Sequence, residues 1–177
     1  MKSNWARGVQ AIGALALVAF APAAAQPPAP RYELHYSPAE NLEAIDVATI
    51  DGAGDAFDGA AFVLTDVPVM EALTRAAERG VRIRLLGDAR QDRPRGERID
   101  AALAALIAEP TVSIKEKRRG PWMHLKAYVV DSELLRFGAA NFTAGGEKRQ
   151  DNDLMLTDDP ALIKAFQTEF ETLWDRP

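Results

Sequence analysis

The stretch MHLKAYVVDSELLRFGAAN, residues 123–141, contains two apolar segments on either side of the polar residues 131–133. Apolar segments of this length that are separated by turn-forming residues are typical of neighbouring β-strands. We therefore predict one strand over Met123–Val130 and a second over Leu134–Asn141, with a tight turn between them.

The rest of the chain alternates between short apolar segments and segments in which apolar residues recur every three or four positions. This alternation predicts an α/β fold, with a mixed β-sheet that carries helices on both faces. The further predicted strands are Arg31–Tyr36, Ala60–Leu64, Val81–Leu85, Val112–Lys115 and Asp153–Leu156. The predicted helices begin at a capping box formed by Ser37-Pro38-Ala39-Glu40, after Asp66, near Ile99 and after Asp159.

The composition is that of an ordinary globular protein, because 47% of the 177 residues are hydrophobic and 27% are charged. The absence of cysteine excludes disulfides, thiolate nucleophiles and cysteine-based metal centres. Only two histidines are present, His35 and His124, so one copy of the chain cannot build a histidine-rich metal site. The net charge of −5 argues against a protein that is basic over its whole surface. Any surface that binds polyanions must therefore be local.

Residues 1–25 have the three parts of a secretory signal peptide, namely basic residues, an apolar segment and small residues before a cleavage site at Gln26. The alternative is a membrane anchor, but the apolar segment is shorter than the roughly 20 residues that a membrane span requires. We expect a cleaved signal, an unstructured leader over Gln26–Pro30 and one domain over Arg31–Pro177. The expected location is the periplasm or the outside of the cell, with no stable membrane insertion.

Four residues of the two central strands carry the chemistry of phosphate esters. Side chains alternate along a strand, so His124 and Lys126 project on the same side of the sheet. A tight turn brings Asn141 alongside them, and Gly138 allows the backbone to approach a ligand closely. An imidazole, an ammonium and an amide on one surface fit a phosphodiester, which needs a nucleophile or proton carrier and donors for its charged oxygens.

A histidine beside a lysine is by itself most often a coincidence of a protein surface. The full spacing H-x-K-x4-D-x6-G-x2-N is more specific, and it is formed by His124, Lys126, Asp131, Gly138 and Asn141. This pattern resembles the signature of the phospholipase D superfamily, and almost all of residues 31–177 resemble the single-motif bacterial nucleases of that superfamily. The resemblance implies the phospholipase D/nuclease-like sandwich as the fold.

The resemblance also implies a phosphodiesterase that needs no cofactor and no metal. In this superfamily two motifs share one site, where one histidine attacks phosphorus to form a phosphohistidine and the other protonates the leaving alcohol. This chain has one motif, so the resemblance implies a homodimer in which His124 of both subunits face each other across a two-fold axis. Lys126 and Asn141 then hold the phosphate oxygens. Asp131 belongs to the motif, and its expected task is to tie the end of the strand.

Two features depart from the superfamily pattern or leave its assignment open. The serine that usually follows the glycine is Ala139 here, which implies reduced activity or a changed substrate. Superfamily members place an acidic residue downstream that orients the histidine; Asp151 is the first candidate for this task and Asp153 the second. Alternatively, these acids only cap a strand. Magnesium binding by acidic pairs such as Asp158/Asp159 is a weaker alternative, because capping of the helix that follows already accounts for these two residues.

The substrate is left open by the sequence. A basic run formed by Lys115, Lys117, Arg118 and Arg119 can steer a polyanionic backbone, and Trp122 can stack on a base. In the alternative reading the run is a solvated turn and Trp122 covers the edge of the sheet. We expect a nuclease acting on DNA or RNA. A phospholipase D acting on phosphatidylcholine-type lipids is the alternative, and a catalytically weak phosphate-binding protein is the second alternative.

Overall fold

A computed structural model describes residues 28–91 and 96–176. This part of the chain contains seven strands, five helices and one short 3₁₀ turn over Ala89–Gln91. The strands are β1 (Tyr32–Ser37), β2 (Ala56–Ala61), β3 (Arg82–Asp88), β4 (Val112–Lys117), β5 (Lys126–Val130), β6 (Leu134–Gly138) and β7 (Asn152–Thr157). The helices are α1 (Leu42–Asp51), α2 (Val67–Glu78), α3 (Glu97–Ala108), α4 (Ala144–Lys148) and α5 (Pro160–Trp174).

The seven strands form one mixed sheet in the order β1-β7-β6-β5-β2-β3-β4. Strands β2, β3 and β4 are parallel to one another, and all other neighbours are antiparallel. The largest core cluster lies under α1, α2 and α3 and includes Ile50, Leu73 and Leu106. A second cluster on the opposite face joins Leu86 of the sheet to Phe170 of α5. Helices on both faces of a mixed sheet confirm the predicted fold class.

The directions of the strands bring His124, Lys126 and Asn141 to one end of the sheet, which we call the site end. Strands β2, β3 and β4 finish at this end, and β5 starts there because Ala61 pairs with Lys126. Strand β6 also finishes at the site end, since its last residue, Gly138, pairs with Leu154 near the start of β7. Connecting segments between these strands therefore meet at the site end, whereas Asp131 lies at the opposite end of β5.

Both central strands are shorter than predicted. Strand β5 begins at Lys126 and β6 ends at Gly138, so His124 and Asn141 lie in connecting segments rather than in strands. The chain leaves the sheet before β5 because Met123 is buried in the cluster under α5. The side-chain alternation expected for a strand over Met123–Val130 therefore begins only at Lys126.

The second strand covers Ala56–Ala61 and not Ala60–Leu64, so the predicted position was wrong by about four residues. A charged residue, Asp58, makes this segment look like a loop in the sequence. In the fold Asp58 is nevertheless buried, because its carboxylate accepts hydrogen bonds from Arg82 at 2.8 Å and Arg84 at 2.7 Å.

The predicted capping box of the first helix was also wrong. Helix α1 has Asn41 as its N-cap, and Ser37 is instead the last residue of β1. Glu40 turns back towards that strand, where its carboxylate accepts a hydrogen bond from the Tyr36 N–H at 3.0 Å. The predicted caps at Asp66 and Asp159 are confirmed, since both side chains accept hydrogen bonds from the first turn of their helices. The short helix α4 was not predicted.

The predicted signal peptide over residues 1–25 lies outside the described residues, as do the first two residues of the leader and residues 92–95 of the loop after β3. None of the helices described is both long enough and apolar enough to cross a lipid bilayer.

Candidate phosphodiester site

His124 and Lys126 form the centre of the candidate site. The Lys126 ammonium donates a hydrogen bond to the His124 carbonyl oxygen at 2.7 Å and lies 3.0 Å from His124 Nδ1. His124 is exposed, whereas Lys126 is only 8% exposed. Burial lowers the pKa of the Lys126 ammonium. The site therefore presents an accessible imidazole above a partly desolvated positive charge.

Aromatic rings pack against one side of the His124–Lys126 pair. The Phe62 ring lies 4.3 Å from the His124 ring and 5.7 Å from the Trp122 ring, measured between centroids. The Arg90 guanidinium stacks on Trp122 at 4.9 Å, and the Lys126 ammonium lies 5.0 Å from the centre of Phe62. Trp122 remains 58% exposed. An indole face beside the imidazole is thus held in place and accessible from solvent.

The segment that carries His124 is fastened to β3 by an ion pair. Asp88 accepts hydrogen bonds from Arg90 Nε at 2.6 Å and from the Met123 N–H at 2.8 Å. Arg90 extends the contact to the carbonyl oxygens of Gly120 and Pro121, both at 3.4 Å. The hydrogen bonds from Arg90 lower the pKa of Asp88 to about 2. Asp88 is therefore ionised at neutral pH and fixes the residue next to His124.

Asn141 follows β6 and is held by the turn that leads into α4. Its backbone carbonyl accepts a hydrogen bond from the Thr143 N–H at 2.7 Å. A side chain at Gly146 would come within 2.6 Å of the same carbonyl, so only glycine fits there. The Asn141 side-chain oxygen is buried and has no hydrogen-bond partner among the described residues. A buried polar atom without a partner costs free energy, which is typical of a group kept for a ligand.

Gly138 has a packing role in the described structure. A β-carbon at this position would come within 2.3 Å of the Asp153 carbonyl oxygen on β7. The absence of a side chain therefore allows β6 and β7 to approach each other just before Asn141. The predicted contact of Gly138 with substrate stays a prediction.

Asp131 is remote from this group of residues. Its carboxylate accepts backbone hydrogen bonds from Gly54, Asp55 and Ala56 at 2.8–2.9 Å, at the opposite end of β5. Burial on its own raises the pKa of Asp131, but these three N–H donors outweigh it and hold the pKa below its ordinary value. Asp131 therefore ties a loop to the end of β5, which is the task expected for it from the sequence.

The two acids proposed to orient the histidine lie at the start of β7. Asp151 is exposed, and Asp153 accepts a hydrogen bond from the Ala139 N–H at 3.3 Å. Within residues 28–91 and 96–176, the imidazole of His124 is hydrogen-bonded to Lys126 and to neither acid. The orienting role of Asp151 therefore stays a prediction.

The basic run lies between β4 and the site. Lys117 is the last residue of β4, Arg118 pairs with Glu116 at 3.0 Å, and Arg119 is exposed. The run thus offers positive charge at the site end, in part compensated by Glu116. No group of three or more acidic or histidine side chains in the described residues is arranged to hold a metal ion.

Three contributors to the site were missed by sequence reasoning, namely Phe62, Asp88 and Arg90. Phe62 follows β2 at the site end, and the misplaced strand concealed it. Asp88 and Arg90 stand at the end of β3, where a D-x-R pair after an apolar strand was the available signal.

Several known proteins are similar to this chain in sequence. A family model described as "Cardiolipin synthase, PLD-like domain" matches residues 47–174. The chain is 29% identical over 114 residues to a protein named mitochondrial cardiolipin hydrolase from Chlamydomonas reinhardtii, covering 64% of this chain and 49% of that protein. It is 31% identical over 96 residues to the Xenopus tropicalis protein of the same name, covering 54% and 43%. The chain thus spans about half the length of these relatives.

Solved structures share the fold. The phospholipase D family member Nuc from Salmonella typhimurium is similar, with a TM-score of 0.75, 24% identity and coverage of 84% of this chain and 96% of that one. NucT from Helicobacter pylori has a TM-score of 0.71, 18% identity and coverage of 84% and 98%.

Proposed function

The chain belongs to the phospholipase D superfamily, and we propose that it is a metal-independent phosphodiesterase whose nucleophile is His124. The observation that carries this proposal is the Lys126 ammonium 3.0 Å from the exposed imidazole, at the same end of the sheet as Asn141, whose side-chain oxygen is buried without a partner among the described residues. A nucleophilic nitrogen beside a cation and an amide is what transfer of a charged phosphoryl group requires.

In the proposed reaction, a nitrogen of His124 attacks phosphorus and the bond from phosphorus to the leaving oxygen breaks. A second histidine donates the proton that the leaving alcoholate takes up. It then removes a proton from water, which attacks phosphorus, breaks the N–P bond and regenerates His124. Lys126 and Asn141 hold the non-bridging oxygens, whose negative charge must be stabilised throughout.

We propose that the second histidine is His124 of another copy, in a homodimer with a two-fold axis at the site. His35, the other histidine of the sequence, is on β1 and hydrogen-bonds to Glu40 at 2.7 Å. Exposed apolar residues flank His124, since Trp122 is 58% and Leu125 37% exposed. Exposed apolar surface beside a site supports an interface there.

The proposed substrate is nucleic acid. Support comes from the accessible indole of Trp122, stacked on Arg90, and from the basic residues 117–119 near the site. Stacking on an aromatic ring next to positive charge is the common way to bind single-stranded nucleic acid. A phospholipid is the second candidate, because exposed Trp122 and Leu125 also suit acyl chains and because the curated relatives are named cardiolipin hydrolases.

The proposed function is tested by measuring turnover of supercoiled plasmid DNA and of phosphatidylcholine and cardiolipin vesicles in parallel, with excess EDTA. His124→Asn is the test variant and His35→Asn the matched control. We expect nicking of DNA that survives EDTA, is lost in His124→Asn and persists in His35→Asn. Headgroup release alone would assign the lipid function instead. Binding of DNA without any turnover would favour a phosphate-binding protein. The loss of activity would then be attributed to Ala139, which replaces the serine of the superfamily pattern.

We further propose that residues 1–25 direct export and are then removed. The order of basic, apolar and small residues in this segment supports export followed by cleavage. N-terminal sequencing of the protein recovered from a periplasmic fraction should begin at Gln26. A cytoplasmic protein that retains Met1 would contradict the proposal.

A further inference from the structure

Arg136 lies on β6 beneath the site and makes its hydrogen bonds inside the protein. Its side chain is 0% exposed. Nε and Nη2 donate to the two carboxylate oxygens of Asp46 at 3.0 and 2.8 Å. Nη1 donates to the carbonyl oxygen of Lys126 at 2.9 Å and to that of Ala140 at 3.4 Å. Nη2 also lies 3.5 Å from Glu147 Oε1, without a hydrogen bond between them. Four of the five N–H groups of the guanidinium thus have a hydrogen-bond acceptor inside the protein.

The two carbonyl groups belong to the two segments that carry the site. One is the carbonyl of Lys126 itself, at the start of β5. The other is the carbonyl of Ala140, the residue before Asn141. A single guanidinium nitrogen therefore bonds both segments, and its position fixes the separation between their backbones.

The guanidinium is itself held rigidly. Asp46 on α1 is fully buried and also accepts a hydrogen bond from the Tyr128 hydroxyl at 2.7 Å. The Phe142 ring lies 4.5 Å from the centre of the guanidinium. Burial, and then the nearby Asp46 carboxylate, raise the pKa of Glu147 to about 10. Asp46 is the closer carboxyl partner of Arg136, since it lies 2.8 Å from Nη2 whereas Glu147 lies 3.5 Å away.

Stability alone does not explain this arrangement. Buried ion pairs are often replaced by apolar residues of similar volume with no loss of stability. An apolar pair, however, could not donate to the carbonyls of Lys126 and Ala140.

We propose that Arg136 is a positioning residue that sets the distance between Lys126 and Asn141, and that Asp46 orients Arg136 for this task. The proposal rests on the proposed function, because it concerns the same site. Lysine cannot take over the role, since an ammonium lacks the planar fork that bonds Asp46 and the carbonyls together. Because a misplacement of about 1 Å can cost on the order of 100-fold in rate, the effect should appear in kcat more than in KM.

Three variants test the proposal in the full chain. Arg136→Lys removes the fork, and the double variant Asp46→Leu/Arg136→Met replaces the ion pair by apolar residues. The control, Arg84→Lys, disrupts a comparable fork that contacts Asp58 and Glu171 and no site residue. For each variant we would measure the melting temperature, kcat and KM on plasmid DNA, and the NMR signals of the two imidazoles at one fixed pH.

We expect kcat of Arg136→Lys to fall about 10- to 100-fold at an unchanged folded fraction, with KM changed less than about threefold. The double variant should remain folded and lose kcat to a similar extent, whereas Arg84→Lys should keep wild-type kcat. The His124 signals should shift in both Arg136 variants, while those of His35, which is on the edge strand β1 and bonded to Glu40, stay in place. Wild-type kcat and unshifted His124 signals in folded Arg136→Lys would overturn the proposal.

The NMR arm separates this proposal from the proposed function. If the wild-type protein turns over no phosphodiester, the proposed function fails, but shifted His124 signals would still support positioning by Arg136. If the double variant does not fold, the comparison of Arg136→Lys with Arg84→Lys decides the question.

Discussion

Asp88 accepts a hydrogen bond from the backbone N–H of Met123 at 2.8 Å, so the last residue of β3 holds the residue that precedes His124. The same carboxylate is bonded to Arg90, which stacks on Trp122. One ion pair therefore positions both the candidate nucleophile and the indole beside it. The position of His124 depends on β3 as well as on its own strand.

This contact predicts a stability difference that depends on pH. The pKa of Asp88 is lowered to about 2 in the fold, against about 3.9 in an unfolded chain. Asp88 therefore stabilises the fold above pH 4, by about 2 kcal/mol, and this contribution is lost as the pH falls towards 2. Asp88→Asn should reduce the free energy of unfolding by about that amount at pH 7 and much less at pH 2.

Urea denaturation at several pH values measures this difference. Asp175→Asn, at the exposed end of α5, serves as the control and should change stability by less than about 0.5 kcal/mol. An Asp88→Asn variant that is as stable as the wild type at pH 7 would contradict the account of this contact.

Asp131 should matter for stability and not for chemistry. Its carboxylate receives three backbone hydrogen bonds, at about 16 Å from Lys126 if β5 rises about 3.3 Å per residue. Asp131→Asn should lower the free energy of unfolding by about 1 to 3 kcal/mol, while kcat per folded molecule stays within about twofold. Because the pKa of Asp131 is lowered in the fold, its contribution is present above the unfolded pKa and is lost as the pH falls below it. A large drop of kcat in a folded, stable variant would show that Asp131 takes part in the reaction.

Trp122 should contribute to substrate binding. Its removal by Trp122→Ala takes away an exposed stacking surface, which for a nucleic-acid substrate should raise KM about tenfold. The chemical step should be nearly unchanged, because the indole lies beside the imidazole and not in its hydrogen-bond network. Steady-state kinetics on a single-stranded oligonucleotide measure both constants. Tyr32→Ala, which removes an exposed aromatic ring at the opposite end of the sheet, should leave KM unchanged; equal effects of both substitutions would contradict the role of Trp122.

A site shared by two subunits predicts how mixtures of subunits behave. When wild-type and His124→Asn chains are co-expressed in equal amounts, about one quarter of the dimers contain two wild-type chains. Activity per total protein should then fall to about one quarter of the wild-type value, if both histidines are required. A fall to one half would mean that each chain acts independently. Co-expression with His35→Asn should leave the activity unchanged.

The sequence predicted the fold class and the proximity of His124 and Lys126 because the relevant patterns are local. The spacing of His124 and Lys126 survives in the structure, although His124 precedes the strand, because two residues of extended chain place both side chains on one side. The N-caps Asp66 and Asp159 were readable for the same reason, since a cap bonds to residues two or three positions away.

The remaining features depend on contacts between distant parts of the chain. Asp58 made β2 look polar, and only its pairing with Arg82 and Arg84 shows why it is buried. Arg136 stands within an apolar strand, and its partner Asp46 is 90 positions away. A charged residue inside an apolar segment indicates a buried partner, but the sequence alone does not identify which residue it is.

The central claim is that His124 attacks phosphorus, and trapping the covalent intermediate tests it most directly. Oligonucleotide radiolabelled at its internal phosphates is mixed with the protein in excess EDTA, quenched in alkali after milliseconds to seconds and digested with trypsin. The two histidines fall in different tryptic peptides, residues 120–126 for His124 and residues 32–75 for His35. We predict label on the peptide 120–126, absent from the His124→Asn protein and present in the His35→Asn protein. Turnover of the oligonucleotide in EDTA with no label on peptide 120–126 at any time point would contradict the claim.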